Sequence, residues 1–508
     1  MPSRLSIMFA VNWFGVTKKD PQGDGGDGAY GNWHWTDAAC SLNNDPATCE
    51  AFPGAGQQRS IASKRRPLAG IYSSSGRTDE SRRRVDLMLS TVRRPCDDGA
   101  RLDAFSLQLD SVKFTSRHPE NKQSETWDIA YRALRTFLER ADAAGMNGAV
   151  ELADDSTVYW HFGDTFGVTT QAERLAALTD DVVDMIELGA AHPSATRIDG
   201  KLLLSFYVDA ALISAAEWAK VLDDARVRSG KDFYALATTL DAQYFQAFDA
   251  ISPWLNLDIW ASSKGASLHD RAVDYGKRMH GGLIAALAKY PGRVVFGSAT
   301  AGFDDYTMDW GACRAREIPR DAEVLAGQLD ALIAEKKSGA DLRGLVFQTW
   351  DDWTEGSEFE PDVTEGTAKL VQLRQLIGAF HGEPLDKTGD DALDARWRSY
   401  GQARSCCFLD GSCGDSGPPT IDLKCPPPLA DGGVSDATID AKSDAPLDSP
   451  LDAPTTTGDS AALDDAAPIT HDASSSGGCG CRLATRSSFE GAGVAFVIVA
   501  LSLLRRRR

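Results

Sequence analysis

At 508 residues the chain has room for one large domain or two to three average ones, and 43% hydrophobic residues are ample for a packed core. Its net charge of −20 argues against nucleic acid as a partner, because phosphate binding needs a basic face. Ten aspartates against one lysine between residues 427 and 478 account for nine of those charges, so the rest is only mildly acidic and its charge names no ligand.

From the N terminus, apolar strands alternate with helix-like stretches. A strand at Leu5 to Asn12 is followed by a long insertion and a helix at Asp79 to Val92. Strands at Leu102 to Leu109, Asn147 to Leu152 and Lys201 to Val208 lead into helices at Ser124 to Ala144, Gln171 to Gly189 and Ser214 to Arg228. Ser214 with Glu217 three residues on has the form of a capping box, and Ser124 has the form of a cap. Strands at Asp232 to Thr238, Ile251 to Ile259, Arg293 to Gly297 and Leu342 to Thr349 precede helices at Leu240 to Phe248, Leu268 to Tyr290, Asp321 to Lys337 and Thr367 to Phe380. This alternation predicts an α/β fold, a (β/α)8 TIM barrel over residues 1–385 with an inserted loop after strand 1. A doubly wound sheet is the competing fold, but no Gly-x-Gly-x-x-Gly follows any strand.

A barrel places functional side chains at the C-terminal ends of its strands. Those ends carry Trp13, Asp110, Glu151 with Asp154 and Asp155, Tyr207 with Asp209, Asp258 with Trp260, and Asp304. Acidic and aromatic residues after most strands suit a carbohydrate cleft, where carboxylates accept hydroxyl hydrogen bonds and rings stack. Aspartate also favours strand-to-helix turns in general, so any one of these residues is equally explained by local structure.

The last strand differs. Residues 345–362 run Leu-Val-Phe-Gln-Thr-Trp-Asp-Asp-Trp-Thr-Glu-Gly-Ser-Glu-Phe-Glu-Pro-Asp, an apolar run entering six carboxylates and two tryptophans. Asp352 and Glu355, three apart, face one small space, with Trp350 and Trp353 as expected platforms for sugar rings. Two carboxyl groups beside aromatic rings suit glycosidic bond chemistry. The stretch resembles the Trp-Asn-Glu-Trp-x-Glu-Gly-x-x-x-Glu-Pro signature of glycoside hydrolase family 99. It is also similar to the Trp-Asn-Asp-(Tyr/Trp)-Gly-Glu motif of family 71, the endo-α-1,3-glucanases. Weaker echoes lie at Pro67 to Ser75, which contains Tyr72, at His192 to Tyr207, and at Ala301 to Asp305. The resemblance implies an endo-acting glycosidase on α-glucan or α-mannan with Glu355 as acid/base and Asp352 as its partner. Trp350, Trp353, Asp110, Glu151, Tyr207, Asp209, Asp304, Trp13 and Tyr72 are then the expected substrate contacts. The chain departs from family 99 at Asp352, one methylene shorter than Glu, and has Asp351 where both families have Asn. A surface lectin built on the same barrel is the alternative from a different class.

No cofactor and no metal are expected. The eight histidines form no His-x-x-x-His pair, no Gly-x-Ser-x-Gly elbow occurs, and Gly23 to Gly31 lacks the spaced ligands of a calcium loop. Ten cysteines include Cys40 with Cys49 and a cluster at Cys406, Cys407, Cys413 and Cys425 within a Cys-rich extension, residues 386–426. They read as disulfides formed in an oxidising place. The globular pattern is expected to stop near residue 382. Residues 427–478, with Asp-Ala-Pro and Asp-Ser-Pro units, read as a disordered linker. Residues 479–508 carry Cys479 and Cys481, an apolar run from Gly491 to Leu504 and four terminal arginines. As helix that run is about 21 Å long, a marginal span of the bilayer. The tail resembles the MYXO-CTERM sorting signal of myxobacteria, which implies a sorting protease, a membrane-inserted segment and anchoring at the cell surface or outer membrane. Export calls for an N-terminal signal, and Met1 leads directly into the first strand, so the true start is expected upstream.

Overall fold

The computed structural model describes residues 5–11, 67–68, 79–92, 98–109, 124–161, 163, 167–305, 316–383, 387–402 and 423. The chain divides into two units, Met1–Cys425 with Cys481–Arg508, and Pro426–Gly480, the second wholly outside the described residues. Trp13, Tyr72, Asp110, the Gly23 to Gly31 loop, all ten cysteines, the linker and the sorting tail also lie outside them.

Eight parallel strands close into a barrel: β1 Leu5–Ala10, β2 Ala104–Leu109, β3 Val150–Asp155, β4 Lys201–Tyr207, β5 Phe233–Thr238, β6 Ala250–Ser252, β7 Val294–Thr300 and β8 Leu342–Gln348. Each pairs with its neighbours in sequence, and β8 returns to β1 with Val346 opposite Ile7, so the ring has no free edge. Around it lie α1 Asp79–Leu89, α2 Ser124–Ala143, α3 Gln171–Ala191, α4 Ala215–Ser229, a 3-10 turn at Ala242–Gln246, α5 Leu268–Ala286, α6 Ala322–Lys337 and α7 Ala368–His381. The (β/α)8 reading of the sequence is therefore correct.

Alternation along the strands divides the core in two. Outward residues such as Phe105, Leu107, Leu152, Phe206 and Phe347 pack under the helices. Inward residues Leu5, Ile7, Leu203, Leu236, Phe296 and Val346 fill part of the barrel interior. The helices start where local chemistry dictates. Ser214 accepts from the Glu217 amide while the Glu217 carboxylate accepts from the Ser214 amide at 2.8 Å, and Thr170 with Glu173 does the same for α3.

Three expectations need correction. The strand predicted at Ile251 to Ile259 is only Ala250–Ser252, because Pro253 cannot donate to the ladder and Leu257–Ser262 is helical, which puts Asp258 and Trp260 on that helix. Strand β3 extends to Asp155, so Glu151 lies low in the strand and not at its end. The globular pattern does not stop near residue 382: α8, Lys387–Gln402, packs on the barrel with Trp397 and Leu393 fully buried.

Candidate active site

The loop after β8 is folded by its own side chains. The Asp352 amide donates to Thr349 Oγ1 at 3.1 Å, and Asp352 Oδ1 accepts from Thr354 Oγ1 at 2.9 Å and from the Glu355 amide at 3.1 Å. Thr349 and Ser357 close the loop with a hydroxyl contact of 2.8 Å. Gly356 turns the chain at φ 62°, and a Cβ there would also lie 3.3 Å from the Asp304 amide nitrogen. Only glycine meets both demands without strain. Asp304, on a short strand pair of Phe303–Asp304 with Glu317–Ile318, donates its amide to the Glu355 carbonyl at 2.6 Å.

Six carboxylates in one loop would repel one another unless most were neutralised. Two buried arginines divide them. Arg84 on α1 reaches Asp351 at 3.1 Å and Glu360 at 3.3 Å, and all three side chains are inaccessible. Arg320 meets Glu358 at 3.4 Å and Asp362 at 3.8 Å, and also Glu365 at 3.0 Å. The same network decides the tryptophans. Trp353 donates its indole N–H to Glu360 at 3.2 Å and is 1% exposed. Trp350 is fully buried, edge-on to Phe105 at 5.1 Å and tilted against Trp397 at 5.6 Å. Neither ring offers a face to a sugar. They fix the loop to the core, which corrects the expectation of a stacking platform.

Across the barrel mouth stand the ends of β3 and β4. Burial, followed by the charges of Asp155, Asp209 and Glu355, pushes the Tyr207 phenol up, so its hydroxyl stays a proton donor. Burial raises Asp155 and Asp209 as well, and Asp155 feels the Asp209 charge. Asp352 is pushed up to about 6, mainly by burial, with the Asp351 charge adding to it and hydrogen bonds from Thr354 and Glu355 opposing it. The Glu355 side chain thus reaches Asp352 on one side and influences Tyr207 on the other.

No protein-family model matches this sequence, and no curated protein does. Solved structures similar to it include the GH99 endo-alpha-mannosidase from Bacteroides thetaiotaomicron, at 17% identity and TM-score 0.48 over 75% of this chain and 98% of that one. A GH113 beta-1,4-mannanase is similar at 12% identity and TM-score 0.37 over 60% of this chain and 94% of that one.

Of the residues expected from sequence, Asp352, Glu355, Tyr207, Asp209 and the backbone of Asp304 come together. Glu151 does not belong to the rim. It is wholly buried inside the barrel against Ser106 and Ser205, and burial pushes its carboxyl up to about 8. Asp155 holds the rim position of β3. Sequence reading also missed the aromatic wall: half-buried Trp254 stands edge-on to Phe9 at 5.5 Å and to Tyr207 at 5.7 Å. Pro253 was the available signal, since it ends the strand and frees Trp254 to turn into the mouth.

Glu151 yields a stability prediction. Its native pKa lies above its unfolded one, so between pH 4.5 and about 8 the native state binds the extra proton and stability falls as pH rises. Glu151→Gln is expected to be more stable than wild type by about 2 kcal/mol at pH 8 and to match it near pH 4, taking half the displacement at about 1.4 kcal/mol per unit. Urea unfolding across that range checks it; equal stability at pH 8 would show that Glu151 ionises freely in the fold.

Proposed function

We propose that this chain is a glycoside hydrolase cleaving α-linked polysaccharide, an α-glucan or α-mannan, within the polymer, with Glu355 as general acid and Asp352 as its partner. The observation that carries this reading is the contact of two loop carboxyl residues, Asp352 and Glu355, at the barrel mouth. Arginines hold Asp351, Glu358, Glu360 and Asp362, while Asp352 and Glu355 hydrogen-bond to each other beside Tyr207 and Trp254. In this reading Glu355 is the protonated member of the pair and Asp352 the ionised one. That is the protonation a leaving glycosidic oxygen requires. Asp352, ionised, is placed to take a proton from a sugar hydroxyl or from water. The α linkage rests on the resemblance of residues 350–361 to families 99 and 71.

One observation supports binding without turnover: Asp352 Oδ1 already accepts two hydrogen bonds, which weakens it as a base. Incubation with α-1,3-glucan, α-mannan and mixed bacterial polysaccharides separates the readings. Oligosaccharides released from one polymer are the expected result; retention on a polymer with no product would favour the lectin. We also propose export and surface anchoring, on the strength of the cysteines and the sorting-type tail; among the described residues no helix is long and apolar enough to cross a membrane.

A further inference from the structure

Gln348 is the last residue of β8, fully buried, and both ends of its amide are used. Its Oε1 accepts from the Leu255 amide at 2.9 Å, and its Nε2 donates to the Pro253 carbonyl at 2.8 Å. Both partners are backbone groups of fixed polarity, so the orientation of the amide is unambiguous. They flank Trp254. Strand β6 ends at Ser252, and beyond it one side chain from β8 does what a neighbouring strand would have done, holding the backbone on both sides of a single residue. Trp254 is half-buried, and its ring meets Phe9 and Tyr207 at interplanar angles of 83°. It is the centre of an aromatic arc on the side of the mouth where Tyr207 and Glu355 lie within reach of each other.

We infer that Gln348 is a positioning residue whose two hydrogen bonds set Trp254 as a stacking wall for a sugar ring, and so govern substrate affinity. This rests on the glycosidase reading for its ligand. It differs from a role in general packing because it acts through one residue and on binding more than on bond cleavage.

The test uses the full chain labelled with 5-fluorotryptophan, the Trp254 fluorine resonance being assigned by its loss in Trp254→Phe. In Gln348→Met that resonance is expected to shift or broaden while the other tryptophan lines hold. For the oligosaccharide substrate of the wild type, KM is expected to rise about 5- to 10-fold with kcat within about twofold, the loss of two neutral hydrogen bonds. Trp254→Ala combined with Gln348→Met is expected to bind no worse than Trp254→Ala alone. An unmoved Trp254 resonance, or binding losses that add in the double variant, would overturn the inference. Should Gln348→Met fail to fold, Gln348→Glu, which keeps the acceptor for Leu255 and loses the donor to Pro253, is read in the same way. Were wild type to neither bind nor cleave any glycan, the proposed activity would fall while the fluorine resonance still decided the clamp.

Discussion

Glu355→Gln is expected to lower kcat on the polysaccharide substrate by about a thousandfold, with oligosaccharide affinity changed by less than about threefold. The magnitude is that of a positioned general acid. Glutamine keeps the shape and can still hydrogen-bond Asp352, but it cannot give a proton to a leaving oxygen. The pH profile supplies a second readout. As the proposed base Asp352 must be ionised, and it is pushed up to about 6, so kcat/KM is expected to climb through that region as pH rises. It should fall again once the proton on Glu355 is lost. Asp352→Asn should remove the ascending limb along with most of the activity. Turnover by Glu355→Gln above a tenth of wild type would rule out Glu355 as the acid.

The second large effect concerns stability. Arg84→Met is expected to cost about 3 to 5 kcal/mol, because it leaves two carboxylates buried without their cation. Asp351 also accepts from the Val11 amide at 2.9 Å, and Glu360 holds the Trp353 indole, so the loss spreads along the whole loop. Burial raises Asp351 and the Arg84 charge opposes that rise. Without Arg84 the native pKa climbs further and the folded variant takes up protons that the unfolded chain releases. The deficit should therefore shrink as pH falls from 7 towards 4, the opposite of ordinary acid destabilisation. Denaturant midpoints at several pH values measure this, and adding Asp351→Asn and Glu360→Gln to Arg84→Met should recover part of the loss. A deficit below about 1 kcal/mol at pH 7 would mean that these carboxylates are already neutral in the fold.

The barrel was legible because its cause is local and repeated. Each strand from Leu5–Ala10 to Leu342–Gln348 is a short apolar run bounded by polar turns, and several helices carry their own start signal, as at Ser214 with Glu217 and Thr170 with Glu173. The exception, β6, failed where a short strand and a helical turn lie end to end across Pro253 and together imitate one long apolar run. The Asp352 and Glu355 pair was legible for the same reason: three residues of one tight loop place both side chains, with Thr354 and Gly356 beside them in sequence.

Sequence by itself thus determined the alternation, the closure into eight strands and the nearness of Asp352 and Glu355, all matters of spacing within a few residues. Only the tertiary structure decided what each of the other groups does. Arg84 lies 267 residues from Asp351, and no periodicity links them. Trp350 reads as a platform until Phe105 and Trp397 enclose it, and Trp254 reads as strand core until Gln348 on β8 is seen to hold the backbone on both sides of it. Burial and charge pairing belong to whichever surfaces the barrel brings together, and these are set by packing between segments that share no local pattern.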